Sequence, residues 1–251
     1  MRQKTVGIIG GMGPEATVDL MQRIIQATPA NDDQDHLRLL VDNNPKVPSR
    51  IKALIEGTGE DPAPVLVQMA RDLERWGADF LAIPCNTAHH FHPAVQAAVG
   101  VPVLNMIELT AGRIRQETPD VRKVGLLAST AVIRTGLYDK SFARRGVEVV
   151  HPGDTSQDQV LAAIRAIKAQ TFSSASLDAL NRAVDDLIAR EAGVILIACT
   201  ELSVIAKKLQ LSVATCDSAQ VLAEAIVAEA MSAQLDGCYR FCAKGVDAIN
   251  R

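Results

Sequence analysis

Two separated segments of the chain share one pattern, in which a short apolar run ends in a cysteine and a small polar cluster. The first segment is LAIPCNTAHHF over 81–91, and the second is VILIACTELS over 194–203. Such apolar runs are typical of strands buried on both faces, and the polar residues after them favour the start of a helix. The pattern therefore predicts that Cys85 and Cys199 both lie at the carboxyl ends of buried strands.

The chain around these two segments also reads as two copies. VGLLAST over 124–130 parallels VGIIGGM over 6–12, and Gly7 precedes Cys85 by 78 positions while Gly125 precedes Cys199 by 74. So long a period indicates duplication of an α/β half and not a solenoid. Alternating strands and helices predict parallel sheets with right-handed crossovers. We expect an α/β protein of two pseudo-symmetric parallel-sheet domains, over 1–105 plus about 215–251 and over 106–214, with the active site between them.

The periodicity of apolar residues predicts the individual elements. Besides the two cysteine segments, strands are expected over 5–9, 37–41, 101–104, 121–128, 147–150 and 212–214. Helices are expected over 16–26, 65–76, 93–99, 107–118, 132–146, 156–169, 174–192 and 219–231. The tail beyond 231 holds Cys238 and Cys242, which are interpreted as packing residues because no histidine lies near them to complete a metal site.

Composition excludes several classes of function. A net charge of -3 without a long basic run argues against nucleic-acid binding, and an aromatic content of 3% leaves few platforms for stacking bases. No apolar stretch reaches the roughly 18 residues of a membrane span, and the N-terminus leads directly into a strand. We therefore expect a cytoplasmic protein without membrane contact, whose five cysteines are reduced thiols.

The two predicted thiol positions suggest acid/base chemistry. Ligands of open α/β sheets bind at the carboxyl edge, and a helix N-terminus lowers a cysteine pKa from about 8.5. A thiolate and a thiol on opposite sides of a carbon could remove a proton from one face and return another to the opposite face. The alternative is that each cysteine is only a packing residue, since free cysteine is among the most buried residue types.

The sequence marks no pyridoxal lysine and no metal cage, so no cofactor and no metal are expected. Backbone N–H groups at helix starts and nearby hydroxyls would then have to hold a substrate carboxylate. Polar side chains stand in suitable places at Asn86, Thr87, Thr130 and Thr200. Helix capping is the alternative role for these residues, and for Thr130 the two roles are equally supported.

The segments GGMGPEAT, PCNTAH and ACTEL, in this order and with these separations, resemble the aspartate/glutamate racemase family. The resemblance covers essentially the whole chain. It implies a cofactor-independent enzyme, a homodimer acting on a small acidic amino acid, in which Cys85 and Cys199 are the two acid/base catalysts, one for each enantiomer. It also implies a substrate-binding set of Met12, Asn86, Thr87, Thr130, Thr200 and Glu201.

Two basic residues match positions that meet the side-chain carboxylate in aspartate-specific members of that family. They are Arg50 in VPSR and Lys168 in AIKAQ. An acidic substrate is favoured, because a neutral side chain would leave two cations unpaired. The alternative for Lys168 is a solvated helix lysine.

Other functions remain open from the sequence. Gly11–Ala16 fits the G-x-G-x-x-A pattern of nucleotide-binding proteins and Asp42 could meet a ribose, although Pro14 removes a donor N–H from the turn. Cys85 with His89, His90 and His92 could form a zinc site, but helical spacing turns the last two away. The resemblance also admits hydantoin racemases, maleate isomerases, arylmalonate decarboxylases and a non-catalytic sensor domain.

Overall fold

The structure is a computed structural model that describes residues 3–246, with only the backbone described for 233–246. The strands are β1 (Val6–Gly10), β2 (Leu39–Asn43), β3 (Phe80–Ala82), β4 (Lys123–Ala128), β5 (Glu148–Val150), β6 (Val194–Ala198) and β7 (Ala214–Asp217). The helices are α1 (Pro14–Ala27), α2 (Ala63–Arg75), α3 (His92–Ala97), α4 (Met106–Glu117), α5 (Thr130–Thr135), α6 (Leu137–Ala143), α7 (Asp154–Lys168), α8 (Ser174–Ala189), α9 (Thr200–Ile205) and α10 (Ser218–Val246). Short 3-10 turns and a π-helix at Lys52–Glu56 complete the described chain.

The strands form two parallel sheets, as the alternating pattern predicts. The first sheet has the order β2-β1-β3, and the second has the order β5-β4-β6-β7. All strand pairs are parallel. The central strands β1 and β4 are therefore equivalent, and the two-domain α/β architecture is confirmed.

Side-chain packing repeats between the two sheets in the same way. Gly7 and Gly125 each leave room for a helix and a neighbouring strand, because a Cβ atom there would come within 2.5 Å and 2.9 Å of the nearest side chain. The neighbours are Leu73, Ala78 and Leu81 for Gly7, and Leu187, Ala192 and Ile195 for Gly125. Each member of the second set lies 114 positions after its counterpart, as Cys199 does after Cys85. The duplication thus extends to individual contacts.

Each sheet is covered by helices on both faces. One face of the first sheet packs against α1 and α10, and the other packs against α2. In the second sheet one face packs against α7 and α8, and the other against α4 and α6. Helix α10 also contacts α4, so it joins the two halves. The exact division of the chain at 105 and 214 stays a prediction.

Three predicted elements differ most from the structure, while others differ only at their ends, as β2 and β4 do in beginning two residues later than predicted. The segment 101–104 forms only a single bridge, Leu81 to Val103, because Pro102 has no N–H to donate to a ladder. The predicted helix over 132–146 is two helices, since Gly136 ends α5 with φ +60. Strand β7 starts at Ala214 and not at 212. The side chains of Cys238 and Cys242 lie outside the described part of the chain, so their predicted packing role stays a prediction. Among the described residues, no helix is both long and apolar enough to cross a membrane.

Candidate active site

The two cysteines of the repeated motif line one small cavity between the sheets. Cys85 follows β3, and Cys199 follows β6 directly; each is only 6% exposed. The cavity has a volume of about 70 Å³. Its lining comes from both halves of the chain and consists of Met12, Ser49, Arg50, Ile51, Cys85, Thr87, Ser129, Ile164, Lys168, Cys199 and Glu201.

A wider cavity of about 320 Å³ adjoins this inner cavity. Three residues, Arg50, Lys168 and Glu201, line both, and the glycine-rich turn before α1 forms one wall of the outer cavity. The outer volume lies within the range of roughly 300–1,000 Å³ that small-molecule sites occupy. Three larger surface hollows, of about 690, 500 and 380 Å³, contain neither Cys85 nor Cys199. The paired cavities are therefore the candidate site.

A carboxylate stands between a thiol and an ammonium group at one side of the inner cavity. The thiol of Cys199 donates to Glu201 Oε2 at 3.1 Å, and Lys168 Nζ lies 2.7 Å from Glu201 Oε1. Burial, and then the charge of Glu201, raises the pKa of Cys199 well above its ordinary value. Lys168 and the backbone N–H of Leu202 act in the opposite direction but are weaker. The expectation that a helix start lowers this pKa is therefore wrong for Cys199, which holds its proton.

Lys168 is tied to the site by charge. Burial acts to lower its pKa, but Glu201 and then the two cysteines raise it, and the net shift is upward. Lys168 is the last residue of α7, and its side chain, which is 43% exposed, lines both cavities. A merely solvated helix lysine would have no such partner.

The guanidinium of Arg50 is held by backbone carbonyls. It donates to the oxygens of Val47 at 3.2 Å, Pro48 at 2.9 Å and Met12 at 3.4 Å. Within the described residues no carboxylate pairs with it. Its charge is thus fixed in place beside the inner cavity and available to an anion.

A neutral histidine supports the turn that carries Cys85. The Nε2 atom of His89 accepts from the Met106 N–H at 3.0 Å, so its Nδ1–H donates to the Cys85 carbonyl at 2.9 Å. Burial, helped by the nearby His92, lowers the pKa of His89 to about 4, although the bond to Cys85 acts against the shift. Both ring nitrogens are occupied, and the described residues contain no cluster of three or more potential metal ligands. The zinc hypothesis receives no support from this geometry.

Comparison with known proteins identifies the group to which this arrangement belongs. The family model described as Asp/Glu/Hydantoin racemase matches residues 9–226. The chain belongs to the Asp/Glu/hydantoin racemase family. The earlier resemblance, drawn from three short motifs, is confirmed.

Similar proteins support the same assignment over most of the chain. Broad specificity amino-acid racemase RacX of Bacillus subtilis (strain 168) is 29% identical over 233 residues, which cover 91% of this chain and 99% of that protein. The structure of Picrophilus torridus aspartate racemase is 32% identical with a TM-score of 0.79, covering 90% of this chain and 94% of that one. Glutamate racemase from Francisella tularensis, in complex with D-glutamate, has a TM-score of 0.63 over 94% of this chain and 83% of that one. At 16% identity the last likeness shows the fold alone.

The four predicted carboxylate-binding side chains occupy different positions in this racemase-family site. Thr87 lines the inner cavity, and its hydroxyl lies 3.3 Å from that of Ser129. Thr130 accepts from Gln157 at 3.3 Å and does not line the cavity. Thr200 is buried as the first residue of α9, also outside the cavity lining. The fourth, Asn86, is fully engaged with other protein groups, as described below.

Sequence reasoning missed two hydroxyl groups of the site. Ser129 caps α5 by accepting from the Val132 N–H, and Ser49 lies beside Arg50. The signal for Ser129 was present, because it takes in LLAST the place that Gly11 takes in the first copy. No comparable pattern marked Ser49.

The glycine-rich turn has a structural reason other than nucleotide binding. Gly11 has φ +90, and a Cβ there would lie 2.3 Å from the backbone of Asn44, so only glycine fits. A Cβ on Gly13 would lie 3.5 Å from Glu201 Oε1. A carboxylate facing the turn would repel a pyrophosphate, which disfavours the nucleotide-binding alternative.

Proposed function

We propose that the chain is a cofactor-independent racemase that interconverts L- and D-aspartate, glutamate or both, with Cys85 and Cys199 as the two acid/base groups. One observation carries the proposal: thiols from two equivalent strand ends line a single cavity that also presents Arg50 and Lys168. Two groups on opposite faces of an α-carbon are the minimum required for inversion without a cofactor.

In the proposed reaction Cys85, as thiolate, takes the α-proton from one face of the substrate. Cys199, whose proton is held on sulfur beside Glu201, delivers a proton to the opposite face. The C–H bond that breaks leaves its electron pair on the α-carbon, and the new C–H bond uses that pair, so charge and atoms balance. The opposite enantiomer requires the reverse assignment of the two thiols. The hydroxyls of Thr87 and Ser129 are positioned to donate to the α-carboxylate, where negative charge develops.

Acidic substrates are supported by the charge of the cavity walls. Arg50 has three backbone acceptors but no described carboxylate partner, so a substrate carboxylate could complete its coordination. This is the role that the resemblance to aspartate-specific enzymes implies for Arg50. The relative from Picrophilus torridus, an aspartate racemase, supports this role.

A second candidate is racemisation of a wider range of amino acids. Lys168 is already paired with Glu201 at 2.7 Å, so only one of the two expected cations is free for a substrate side chain. Binding a neutral side chain would then leave one cation unpaired, which costs less free energy than it does in a site with two free cations. The Bacillus subtilis relative is named a broad-specificity amino-acid racemase.

The deciding experiment follows the α-proton by NMR in D₂O, with chiral analysis of the product. The purified, chelator-treated protein is given L-aspartate and L-glutamate together with their amides, L-asparagine and L-glutamine, as controls matched in shape. Loss of the α-proton signal with appearance of the D-enantiomer supports racemase activity. A preference for acids over amides that disappears in Arg50→Ala supports specificity for acidic substrates. Equal turnover of acids and amides supports the wider one.

Variants of the cysteines test the mechanism in the same assay. Cys85→Ser and Cys199→Ser should each abolish racemisation, while Cys216→Ala should not, because Cys216 is buried in the core of the second half. Full racemisation by either site variant would overturn the two-thiol mechanism. A homodimer and a cytoplasmic location remain predictions, of which the first is checked by the light-scattering mass in solution.

A further inference from the structure

A chain of buried hydrogen bonds runs between the two halves of the molecule close to the candidate site. The Tyr138 hydroxyl donates to Asn86 Oδ1 at 2.6 Å, and Asn86 Nδ2 donates to Ser218 Oγ at 3.1 Å. Ser218 Oγ in turn donates to the carbonyl of Ile197 at 3.0 Å. We call Tyr138, Asn86 and Ser218 the buried relay. Each bond in it has a defined donor and acceptor, and Ser218 Oγ both accepts from Asn86 and donates to Ile197, so the chain has a single direction.

Two residues of this hydrogen-bond chain, Asn86 and Ile197, lie close to the two cysteines in sequence. Asn86 directly follows Cys85, and Ile197 stands two residues before Cys199 in β6. Ser218 is the first residue of α10, the helix that packs on the first sheet. The relay therefore joins the loop of one thiol to the strand of the other through side chains alone.

The relay is isolated from solvent. Tyr138 and Ser218 are 0% exposed and Asn86 is 2% exposed. None of the three side chains lines either cavity at the candidate site. Water cannot replace a lost bond there, and a missing partner leaves a buried acceptor or donor unsatisfied. Such a chain resists small displacements of its two ends.

We propose that the buried relay is a positioning device that fixes the spacing of Cys85 and Cys199, with Tyr138 and Ser218 as positioning residues. This inference rests on the proposed function, because two-base racemisation requires both thiols to address one carbon simultaneously. It also reassigns Asn86, expected from the sequence to bind substrate, to holding the site together. Displacement by about 1 Å can lower a rate by about 100-fold.

The test compares racemisation with one-sided proton exchange. Exchange of the α-proton with retention needs only one aligned thiol, whereas inversion needs both. Tyr138→Phe, which removes one hydroxyl at nearly constant shape, should lower kcat for racemisation by about tenfold or more with little change in KM. The ratio of retained-face deuterium incorporation to racemisation should rise at least about threefold. Ser218→Ala, which cuts the link to Ile197, should do the same.

A matched control separates positioning from general damage. Ser141 lies on the same helix as Tyr138, is 0% exposed, and accepts a hydrogen bond from Arg145 at 3.0 Å outside the relay. Ser141→Ala should leave the ratio at the wild-type value. If Tyr138→Phe and Ser218→Ala also leave it unchanged, or if Ser141→Ala shifts it equally, the inference is wrong.

A second measurement does not depend on turnover. Bifunctional methanethiosulfonate reagents of graded length can join Cys85 to Cys199, and the linked peptides can be quantified by mass spectrometry. The wild type and Ser141→Ala should favour one spacer length, whereas Tyr138→Phe should spread the yield over neighbouring lengths. An identical length profile in Tyr138→Phe would overturn the relay's role. A changed profile in a protein that racemises no amino acid would keep the relay and reject the proposed function.

Discussion

The protein should lose stability in mild acid because of one buried imidazole. His89 is 3% exposed, and its pKa is about 4 in the folded protein against 6.5 in an unfolded chain. Below about pH 6.5 His89 is protonated in the unfolded chain but stays neutral in the folded protein until the pH approaches about 4. The stabilisation is thus complete above that pH and is lost as pH falls from about 6.5 to about 4.

The size of the effect follows from the difference between the two pKa values. At about 1.4 kcal/mol for each pKa unit, the shift of His89 lowers the free energy of unfolding by about 3 kcal/mol near pH 4. The cause is local, because a protonated ring would turn the acceptor of the Met106 N–H into a donor. The turn that carries Cys85 would lose its support at the same time.

The assay is urea unfolding followed by circular dichroism at about pH 7 and about pH 4. His89→Gln keeps one donor and one acceptor but cannot titrate, so the drop in unfolding free energy between the two pH values should be smaller than in the wild type by about 3 kcal/mol. His90→Gln, the exposed neighbour, should behave as the wild type. If His89→Gln and the wild type lose the same stability, the assignment of a buried neutral His89 is refuted.

Two further substitutions test the charge and the packing described above. Glu201→Gln should lower the pKa of Cys199 and speed its alkylation by iodoacetamide about tenfold near pH 8, measured by peptide mass spectrometry; an unaltered pH profile would contradict the role of the carboxylate. Gly125→Ala should lower the free energy of unfolding by about 1–3 kcal/mol, because its Cβ would lie 2.9 Å from that of Ala192. Gly112→Ala, on a helix with open space around it, is the control and should raise stability by about 0.5–1 kcal/mol in the same urea titration; equal losses in both would count against the packing argument.

Much of the fold could be predicted because its signals are local. The apolar runs of β1, β4 and β6 are fully or almost fully buried, and buried parallel strands have this continuous apolar character. The duplication was visible in the similar spacing of Gly7 and Gly125 from their cysteines, 78 and 74 positions. The helix end at Gly136 does not appear in the prediction because the helical periodicity continues through it. The segment 101–104 is predicted as a strand because its apolar residues favour one, although Pro102 limits its pairing.

The candidate site was predicted less completely, and the reasons are physical. Cys199 and Glu201 are two residues apart in the sequence, so the effect of this carboxylate in raising the pKa of the thiol is a local one that the sequence can indicate. The relay could not, since Asn86 and Ser218 are 132 positions apart and nothing in either segment marks the other. Side-chain polarity alone did not distinguish Thr87, which lines the cavity, from Thr130, which does not.

The division of the site into two connected spaces has a consequence for how such proteins diverge. The inner cavity, at about 70 Å³ against about 320 Å³ for the outer one, contains both thiols and is the narrower of the two spaces. Any longer side chain must extend into the outer cavity, whose walls include Pro45 and Gln170. Mutations at those walls can therefore change which molecule is accepted without moving either sulfur atom. New specificities within this family could arise by single steps in a region that the chemistry does not use.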